Sequence, residues 1–339
     1  MDPAEFPQPE KPKIVRSVVM FFITLCSVFL VYGFQWSGGN PLTDVDVAIR
    51  SIQFAIGLMT ILLCHEMGHY IVAKRHGFSI SEPYFLPFPF AFGTLGAVIQ
   101  LKSLPKNRTA LLEMGAAGPI AGFVAAIFWL LLDLSSTKNY AQVHLSVPRE
   151  EIEEALQTMV QVEPNYLEKM IQTWGLISAP STESIDIFIM SDPLLFQWVT
   201  TVALGQELSP YAELGPWAFA AWVGCLITFI NLLPIGQLDG GHIVNALFPS
   251  KAQTISKVLL GCAIVAGIFW WHGWLVWALL LYFLKAYRSI YIPSKAELST
   301  RAKIIAGIIV CVFVLSAMPR PIYNTSVQLD DIIWQHVEK

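Results

Sequence analysis

The amino-acid sequence predicts an α-helical polytopic membrane protein with about six or seven transmembrane helices. Hydrophobic residues make up 55% of the chain, charged residues only 14%, and the mean hydropathy is +0.56. Soluble domains carry roughly 25% charged residues, so a soluble fold is excluded. The net charge is −4, and the charged residues lie in short loops and one insert. We expect no nucleic-acid partner. The same patterning predicts a β-hairpin or loop dipping into the membrane and a small extracytoplasmic helical insert.

The first two apolar segments predict the first two spans. Residues 14–34 follow a polar, proline-bearing N-terminus, and no small-residue cleavage site comes after them, so we interpret them as a retained span. Residues 47–72 form the second span, which we expect to stop near Gly77, because glycine is typical of a helix end.

Residues 78–103 do not fit a helix, because Pro83, Pro87 and Pro89 would break one. The run 92–101 combines glycines with β-forming residues and is too short to cross a bilayer. It predicts a β-hairpin or loop at membrane depth, where irregular backbone is tolerated only against protein or a wet cavity. An interfacial loop is the alternative, and the sequence alone does not decide between the two.

The third span covers residues 110–134 and contains several small residues that allow close helix packing. Residues 135–216 are acidic and resemble a soluble segment, which we interpret as an extracytoplasmic helical insert. Further spans are predicted at 217–233, 255–271, 274–287 and 304–318, followed by a polar tail. The fifth and sixth are short for a hydrocarbon core of about 30 Å, so we expect them to form a packed hairpin.

These segments divide the chain into five predicted parts. They are the N-terminal tail and first span (1–46), the first part of the membrane core (47–134), the insert (135–216), the second part of the core (217–250), and the C-terminal spans and tail (251–339). The five cysteines all fall in apolar segments without disulfide or zinc-finger spacing, and we predict that they are small core residues. They are Cys26, Cys64, Cys225, Cys262 and Cys311.

The distribution of basic residues predicts the orientation. With the N-terminus in the cytoplasm, the cytoplasmic loops carry most of the lysines and arginines, as the positive-inside rule requires. The cytoplasmic set is Lys74, Arg75, Lys102, Lys106, Arg108, Lys251, Lys257 and the cluster in 285–303. We therefore expect an integral membrane protein, of the bacterial inner membrane, with its N-terminus and its site toward the cytoplasm.

A cluster of ionisable residues lies inside the second span, in the pattern H-E-x-x-H. His65 and His69 are four residues apart, so they share one face of a helix and can bind one zinc ion. Glu66 follows the first histidine, where a carboxylate can act as general base toward water that the metal activates. Placing an ionisable side chain in a membrane span costs free energy, so such a residue usually has a function. The alternative is that the three side chains satisfy one another between packed helices.

Asp239 is the best candidate for a third ligand, since a catalytic zinc takes three protein ligands and keeps one position open. The fourth span runs from outside to inside, which brings Asp239 to the depth of His65 and His69. Pro234 breaks the helix before it. The alternative is that Asp239 caps the following helical segment.

Together these motifs resemble the site-2 proteases, which are zinc metalloproteases that cut transmembrane segments. The resemblance rests on His65-Glu66-Met67-Gly68-His69 and on Asn231-Leu232-Leu233-Pro234-Ile235-Gly236-Gln237-Leu238-Asp239-Gly240. Secondary matches are Gly93-Thr94-Leu95-Gly96-Ala97, which is similar to the membrane-dipping β-loop of the family, and Gly118-Pro119-Ile120-Ala121-Gly122. The resemblance covers about 47–247.

The resemblance implies that His65, His69 and Asp239 bind Zn²⁺ and that Glu66 is the general base. It implies that Asn231 and the loop Gly93, Thr94, Leu95, Gly96 and Ala97 position the substrate, a transmembrane protein in the lipid bilayer. Many bacterial members carry a PDZ domain, but the insert has too few β-alternating runs for one.

A different class of function competes with the protease. Intramembrane His, Glu and Asp also suit ion pathways, so an ion or proton transporter or a catalytically silent zinc-binding scaffold is the alternative. The sequence identifies neither a substrate nor an oligomeric state.

Overall fold

The computed structural model describes residues 14–99, 101–103, 105, 107–137, 184–204, 214–283, 285–288 and 297–328. The helices of these residues are α1 Ile14–Val31, continued by a π-helix Tyr32–Trp36, α2 Val45–Arg75, α3 Arg108–Thr137, α4 Leu194–Leu204, α5 Pro216–Asn231, α6 Asp239–Leu247, α7 Ala252–Phe269, α8 Gly273–Phe283 and α9 Thr300–Ser316. The strands are β1 Tyr84–Pro87, β2 Thr94–Val98, β3 Ser184–Met190 and β4 Ile322–Gln328.

Four helices of the described residues are long and apolar enough to cross a membrane: Ile14–Trp36, Val45–Arg75, Arg108–Leu134 and Ala252–Phe269. The other predicted spans are helical but shorter, with 16 residues in α5, 11 in α8 and 17 in α9. At 1.5 Å per residue, α8 is about 17 Å long, well below the hydrocarbon thickness of about 30 Å. The structure thus contains a helix at each predicted span. Only four of the described helices, however, are long enough to cross a membrane.

The core is formed where α2, α3 and α5 pack on one another. Trp222 of α5 and Phe54 and Leu58 of α2 are fully buried there. Small residues permit the close approach: a Cβ on Gly57 of α2 would lie 2.9 Å from the Cβ of Ala220, which belongs to α5. Helix α2 carries His65, Glu66 and His69, and α5 leads into the segment that carries Asp239.

Strands β1 and β2 form the antiparallel hairpin that the sequence predicts within 78–103. Tyr84 pairs with Val98 and Phe85 with Ala97, and a bulge precedes the Pro87–Thr94 pair. The turn is tight, since Ala91 has φ 54° and Gly93 has φ 84°.

The hairpin lies alongside α1 over most of its length. The ring of Phe85 packs 5.1 Å from that of Phe21, and Trp36 Nε1 donates a hydrogen bond to Ala91 O at 2.8 Å. Gly93 lies directly on the α1 backbone at Val28. Because α1 is a candidate span, the hairpin extends along the length of a membrane-crossing helix, from Tyr84 beside Arg16 near its start to Ala91 beside Trp36 at its end.

The described part of the insert contains a strand, which the prediction of a helical insert missed. β3 pairs in antiparallel register with β4 of the predicted polar tail, from Ser184 opposite Gln328 to Met190 opposite Ile322. The predicted helical insert and the predicted lack of a PDZ domain concern 135–216, of which 138–183 and 205–213 lie outside the described residues. The apolar stretch after Asp192 forms α4.

The prediction for the cysteines is wrong for three of the five. Cys225 is buried in α5, whereas Cys26, Cys262 and Cys311 are exposed. These three lie on outer helix faces beside exposed apolar residues such as Val258 and Val265, because an apolar helix that can face lipid need not bury every small residue.

Candidate metal centre

Helix α2 places both histidines of the H-E-x-x-H pattern on one face. His65 and His69 are one helical turn apart, and their rings are 4.9 Å apart between centroids. The two Nε2 atoms are 3.2 Å apart and point to the same space. The helix continues past the pair to Arg75 and ends at His76, followed by Gly77 with φ 71°, so the predicted stop is confirmed.

Asp239 reaches the two histidines from a separate segment. Its Oδ2 lies 3.1 Å from His65 Nε2, and its Oδ1 lies 3.2 Å from His69 Nε2. The chain turns there because α5 ends at Asn231, Pro234 follows, and Gly236 adopts φ 48°. The alternative that Asp239 is a helix cap is wrong: Leu238 is the N-cap of α6, and Asp239 is its first helical residue.

The three side chains have the donor set and the spacing that zinc requires. One atom from each of His65, His69 and Asp239 lies within 4.8 Å of the others. Tetrahedral zinc with bonds of about 2.0–2.1 Å holds its ligand atoms about 3.3 Å apart. The observed separations of 3.1–3.2 Å match that value. The side chains are 5%, 11% and 14% exposed, so the site lies inside the protein with restricted access.

Helix α3 orients the imidazoles. His69 Nδ1 lies 2.8 Å from the carbonyl oxygen of Met114. Because a carbonyl only accepts, Nδ1 carries the proton, and in a neutral imidazole Nε2 is then the atom available to a metal in the space shared with His65 and Asp239. Gly118 lies under the ring of His69, and a Cβ on Gly122 would lie 3.2 Å from His65 Nδ1. The glycines of α3 therefore leave the volume that the two rings fill.

Glu66 and Asn231 lie beside the three ligand candidates. Glu66 is 5% exposed, and its carboxylate interacts electrostatically with His65, His69 and Asp239. Asn231 ends α5, and its Nδ2 lies 3.4 Å from His65 Nε2. The structure thus brings together five of the residues singled out in the sequence.

The other predicted substrate-positioning residues lie in the hairpin and not among the ligand candidates. Gly93 packs on α1. Thr94 is buried, and its Oγ1 donates to Leu86 O at 3.0 Å and accepts from Gly96 N at 2.9 Å. Leu95 is 50% exposed, and Ala97 is partly buried against the core.

The hairpin nevertheless reaches the level of the site. Tyr32 of the π-helix stacks on Phe54 of α2, with ring centroids 4.5 Å apart. Phe21 lies eleven residues before Tyr32, and His65 lies eleven residues after Phe54. Because α1 and α2 run in opposite directions, Phe21 and His65 lie at similar depth. Ala97 pairs with Phe85, which packs on Phe21.

Two charged residues around the site were not recognised from the sequence as functional. The Glu113 carboxylate lies 2.9 Å from His76 Nε2 and 3.6 Å from Arg301 Nε of α9. Arg108 bonds the end of α6. Both pair with residues that are distant in the sequence, so no local pattern reveals these contacts.

Comparison with known proteins gives matches over most of the chain. The sequence model of peptidase family M50 matches residues 53–269, which include all the ligand candidates. The chain is 26% identical over 301 residues to "Probable zinc metalloprotease EGY2, chloroplastic" of Oryza sativa subsp. indica, covering 86% of this chain and 47% of that protein. It is 26% identical over 284 residues to "Probable zinc metalloprotease EGY1, chloroplastic" of Arabidopsis thaliana, covering 81% and 43%. The chain thus spans about half the length of these relatives.

Among solved structures, the "Site-2 Protease from Methanocaldococcus jannaschii" is similar, with 15% identity, a TM-score of 0.38, and coverage of 82% of this chain and 93% of that one. The match to the family model extends over well over half of the chain and includes His65, Glu66, His69 and Asp239. This chain therefore belongs to peptidase family M50.

Proposed function

We propose that this protein is an intramembrane zinc metalloprotease that hydrolyses peptide bonds in or near transmembrane helices of substrate proteins. The observation that carries the proposal is the convergence of His65, His69 and Asp239 beside Glu66, within a set of long apolar helices. Membership of peptidase family M50 and the similarity to proteins named zinc metalloproteases support it.

In this proposal His65, His69 and Asp239 hold Zn²⁺ through two imidazole nitrogens and one carboxylate. When bound, zinc would lower the pKa of a water molecule and polarise the carbonyl of the bond to be cut. The hydrogen bond from His69 Nδ1 to Met114 O fixes the tautomer that a metal ligand needs. Asp239 supplies the negative charge that two neutral histidines lack.

Glu66 is proposed as the general base. Its carboxylate would take a proton from the attacking water and deliver it to the leaving amine nitrogen. The residue follows His65 directly on α2, so its carboxylate leaves the helix beside the ligand face. Its burial keeps it away from bulk water, which would otherwise compete for its proton.

Asn231 and the hairpin are proposed to position the substrate. The Asn231 amide can donate a hydrogen bond to the oxygen of the scissile carbonyl, because Nδ2 already lies at the edge of the ligand set. The segment to be cut must be unwound, and pairing with the outer edge of β2 would replace its lost hydrogen bonds. Gly96 N–H is already bound to Thr94, so we assign the pairing to backbone groups near Leu95 and Ala97.

The membrane and the orientation remain part of the proposal. The basic residues of the predicted cytoplasmic loops favour a site toward the cytoplasm of a bacterial inner membrane. The plant relatives are named chloroplastic, which makes a chloroplast membrane the alternative compartment. Reporter fusions after Arg288 and within 138–183 would locate the two faces.

A transporter or a silent zinc scaffold is the competing function, because it would use the same ionisable residues without hydrolysis. The test is reconstitution of the purified protein in liposomes with a single-span membrane protein. The protease proposal predicts two fragments, loss of cleavage after chelation, and recovery with added Zn²⁺. Zinc or proton flux across the liposome membrane without any cleavage would favour the alternative.

A further inference from the structure

We propose that Arg108 is a positioning residue for the metal centre, which orients Asp239 by holding the far end of helix α6. The inference rests on the proposed zinc site. It assigns a role to a residue at the start of α3 whose two hydrogen bonds run to the far end of α6.

Helix α6 is short and is held in place by its contacts with the rest of the protein. It has nine residues, and isolated helices shorter than about 12 residues are marginally stable in water. Asp239 is its first residue, so the direction of the helix sets the direction of the carboxylate. The N-cap, Leu238, offers no side-chain hydrogen bond that would fix the start.

The segment before α6 is held by its backbone. Gly236 N–H donates to Ser256 Oγ at 2.9 Å, and Gln237 N–H donates to Ala286 O at 2.6 Å. These bonds fix the position of the start, and the buried Ile243 and Ala246 pack the middle of the helix against the protein. A polar attachment at the other end adds a further fixed point that sets the direction of the helix.

Arg108 supplies that attachment. Its Nε donates to Ala246 O at 2.6 Å, and its Nη2 donates to Leu247 O at 2.7 Å. The last carbonyls of a helix have no partner within the helix, and the C-terminal end carries partial negative charge. A guanidinium satisfies two of these carbonyls and complements that charge.

The attachment also relates Asp239 to the two histidines. Arg108 begins α3, and the same helix accepts the His69 hydrogen bond at Met114 and provides the glycine surface under both imidazoles. Gly115 of α3 packs against the Asp239 backbone, since a Cβ there would lie 3.3 Å from Asp239 O. One helix therefore serves as the reference for all three ligand candidates.

The two bonds require the forked geometry of arginine. A lysine keeps the charge but presents a single ammonium group on a flexible chain, and it cannot bridge two carbonyls in the same way. Arg108→Lys therefore removes the orientation and retains the charge. Arg75→Lys is the matched control, because Arg75 is an exposed arginine at the end of α2.

The experiment measures zinc affinity, the spectrum of the cobalt-substituted protein, and thermal unfolding of the metal-free protein in detergent for the full chain and both variants. We expect Arg108→Lys to weaken zinc binding roughly 10- to 100-fold, the range found for residues that orient metal ligands. The cobalt absorption bands should shift, while the metal-free protein unfolds near the wild-type midpoint and Arg75→Lys behaves as wild type throughout.

Three outcomes would overturn the inference. Wild-type zinc affinity and an unchanged cobalt spectrum in Arg108→Lys would show that α6 needs no such attachment. A large loss of metal-free stability that accounts for the weaker binding would show that Arg108 supports only the fold. If wild type bound no zinc, the proposed site itself would be wrong, and the inference with it.

Discussion

Gly118 of α3 lies directly against the imidazole of His69, so that a Cβ at this position would overlap the ring at Nε2. The atom that would be displaced is the one that faces His65 and Asp239. The glycine is therefore required by the position of a ligand candidate, and not only by helix packing.

We predict that Gly118→Ala abolishes stoichiometric zinc binding. One methyl group forces the ring of His69 away, and the hydrogen bond to Met114 O resists a compensating rotation. Metal analysis of the purified protein after dialysis gives the measurement. Gly261→Ala on α7 is the matched control, because a Cβ there meets nothing within 4 Å. Equal zinc content in both variants would contradict the role assigned to Gly118.

For Asn231→Ala we predict normal zinc content and a loss of turnover. Removal of one donor to a developing oxyanion costs roughly 10²- to 10³-fold in kcat. The measurement is the rate of cleavage at saturating substrate, with zinc content determined on the same sample. An unchanged kcat would remove Asn231 from the substrate-positioning role, and lost zinc would indicate that its contact with His65 serves the metal instead.

The partly buried carboxyl of Asp192, just before α4, should make the free energy of unfolding depend on pH. Burial raises the pKa of its carboxyl from 3.8 to about 6. The folded state thus holds the proton more tightly than the unfolded state, so the charged form destabilises the fold above pH 6. This penalty declines as the pH falls from about 6 toward about 4.

Asp192→Asn should therefore raise the thermal midpoint of the metal-free protein at pH 7.5 and raise it less at pH 4.5. Thermal unfolding in detergent, with chelator present, measures both midpoints. Asp46→Asn, an exposed aspartate in the first turn of α2, is the control. A gain of the same size at both pH values would exclude burial of the charge as its cause.

Local patterns predict the elements whose structure is set by nearby residues. The i, i+4 spacing of His65 and His69 places both on one helix face, and the prolines and glycines of 78–103 exclude a helix and favour the observed hairpin. The direction of the fourth span also predicts that Asp239 lies at the depth of the histidines. Its contact with both histidines depends on packing that no local pattern contains.

The features that the sequence does not predict are contacts between residues that are far apart along the chain. The run 184–190 alternates isoleucines with other residues, as strands do, but its partner begins at Ile322. Asp133 lies near the end of α3, and its carboxylate accepts hydrogen bonds from the backbone of Gly215 and Ala218 at the start of α5. Arg108 likewise meets α6 only in the folded chain.

The most direct test of the proposed function is cleavage by Glu66→Gln, reconstituted with a single-span substrate and analysed for zinc in the same preparation. This substitution keeps the size of the side chain and removes the carboxylate that accepts the proton. Our account predicts wild-type zinc content and no fragments within an assay in which wild type completes cleavage. Fragments formed at the wild-type rate by zinc-loaded Glu66→Gln would contradict it.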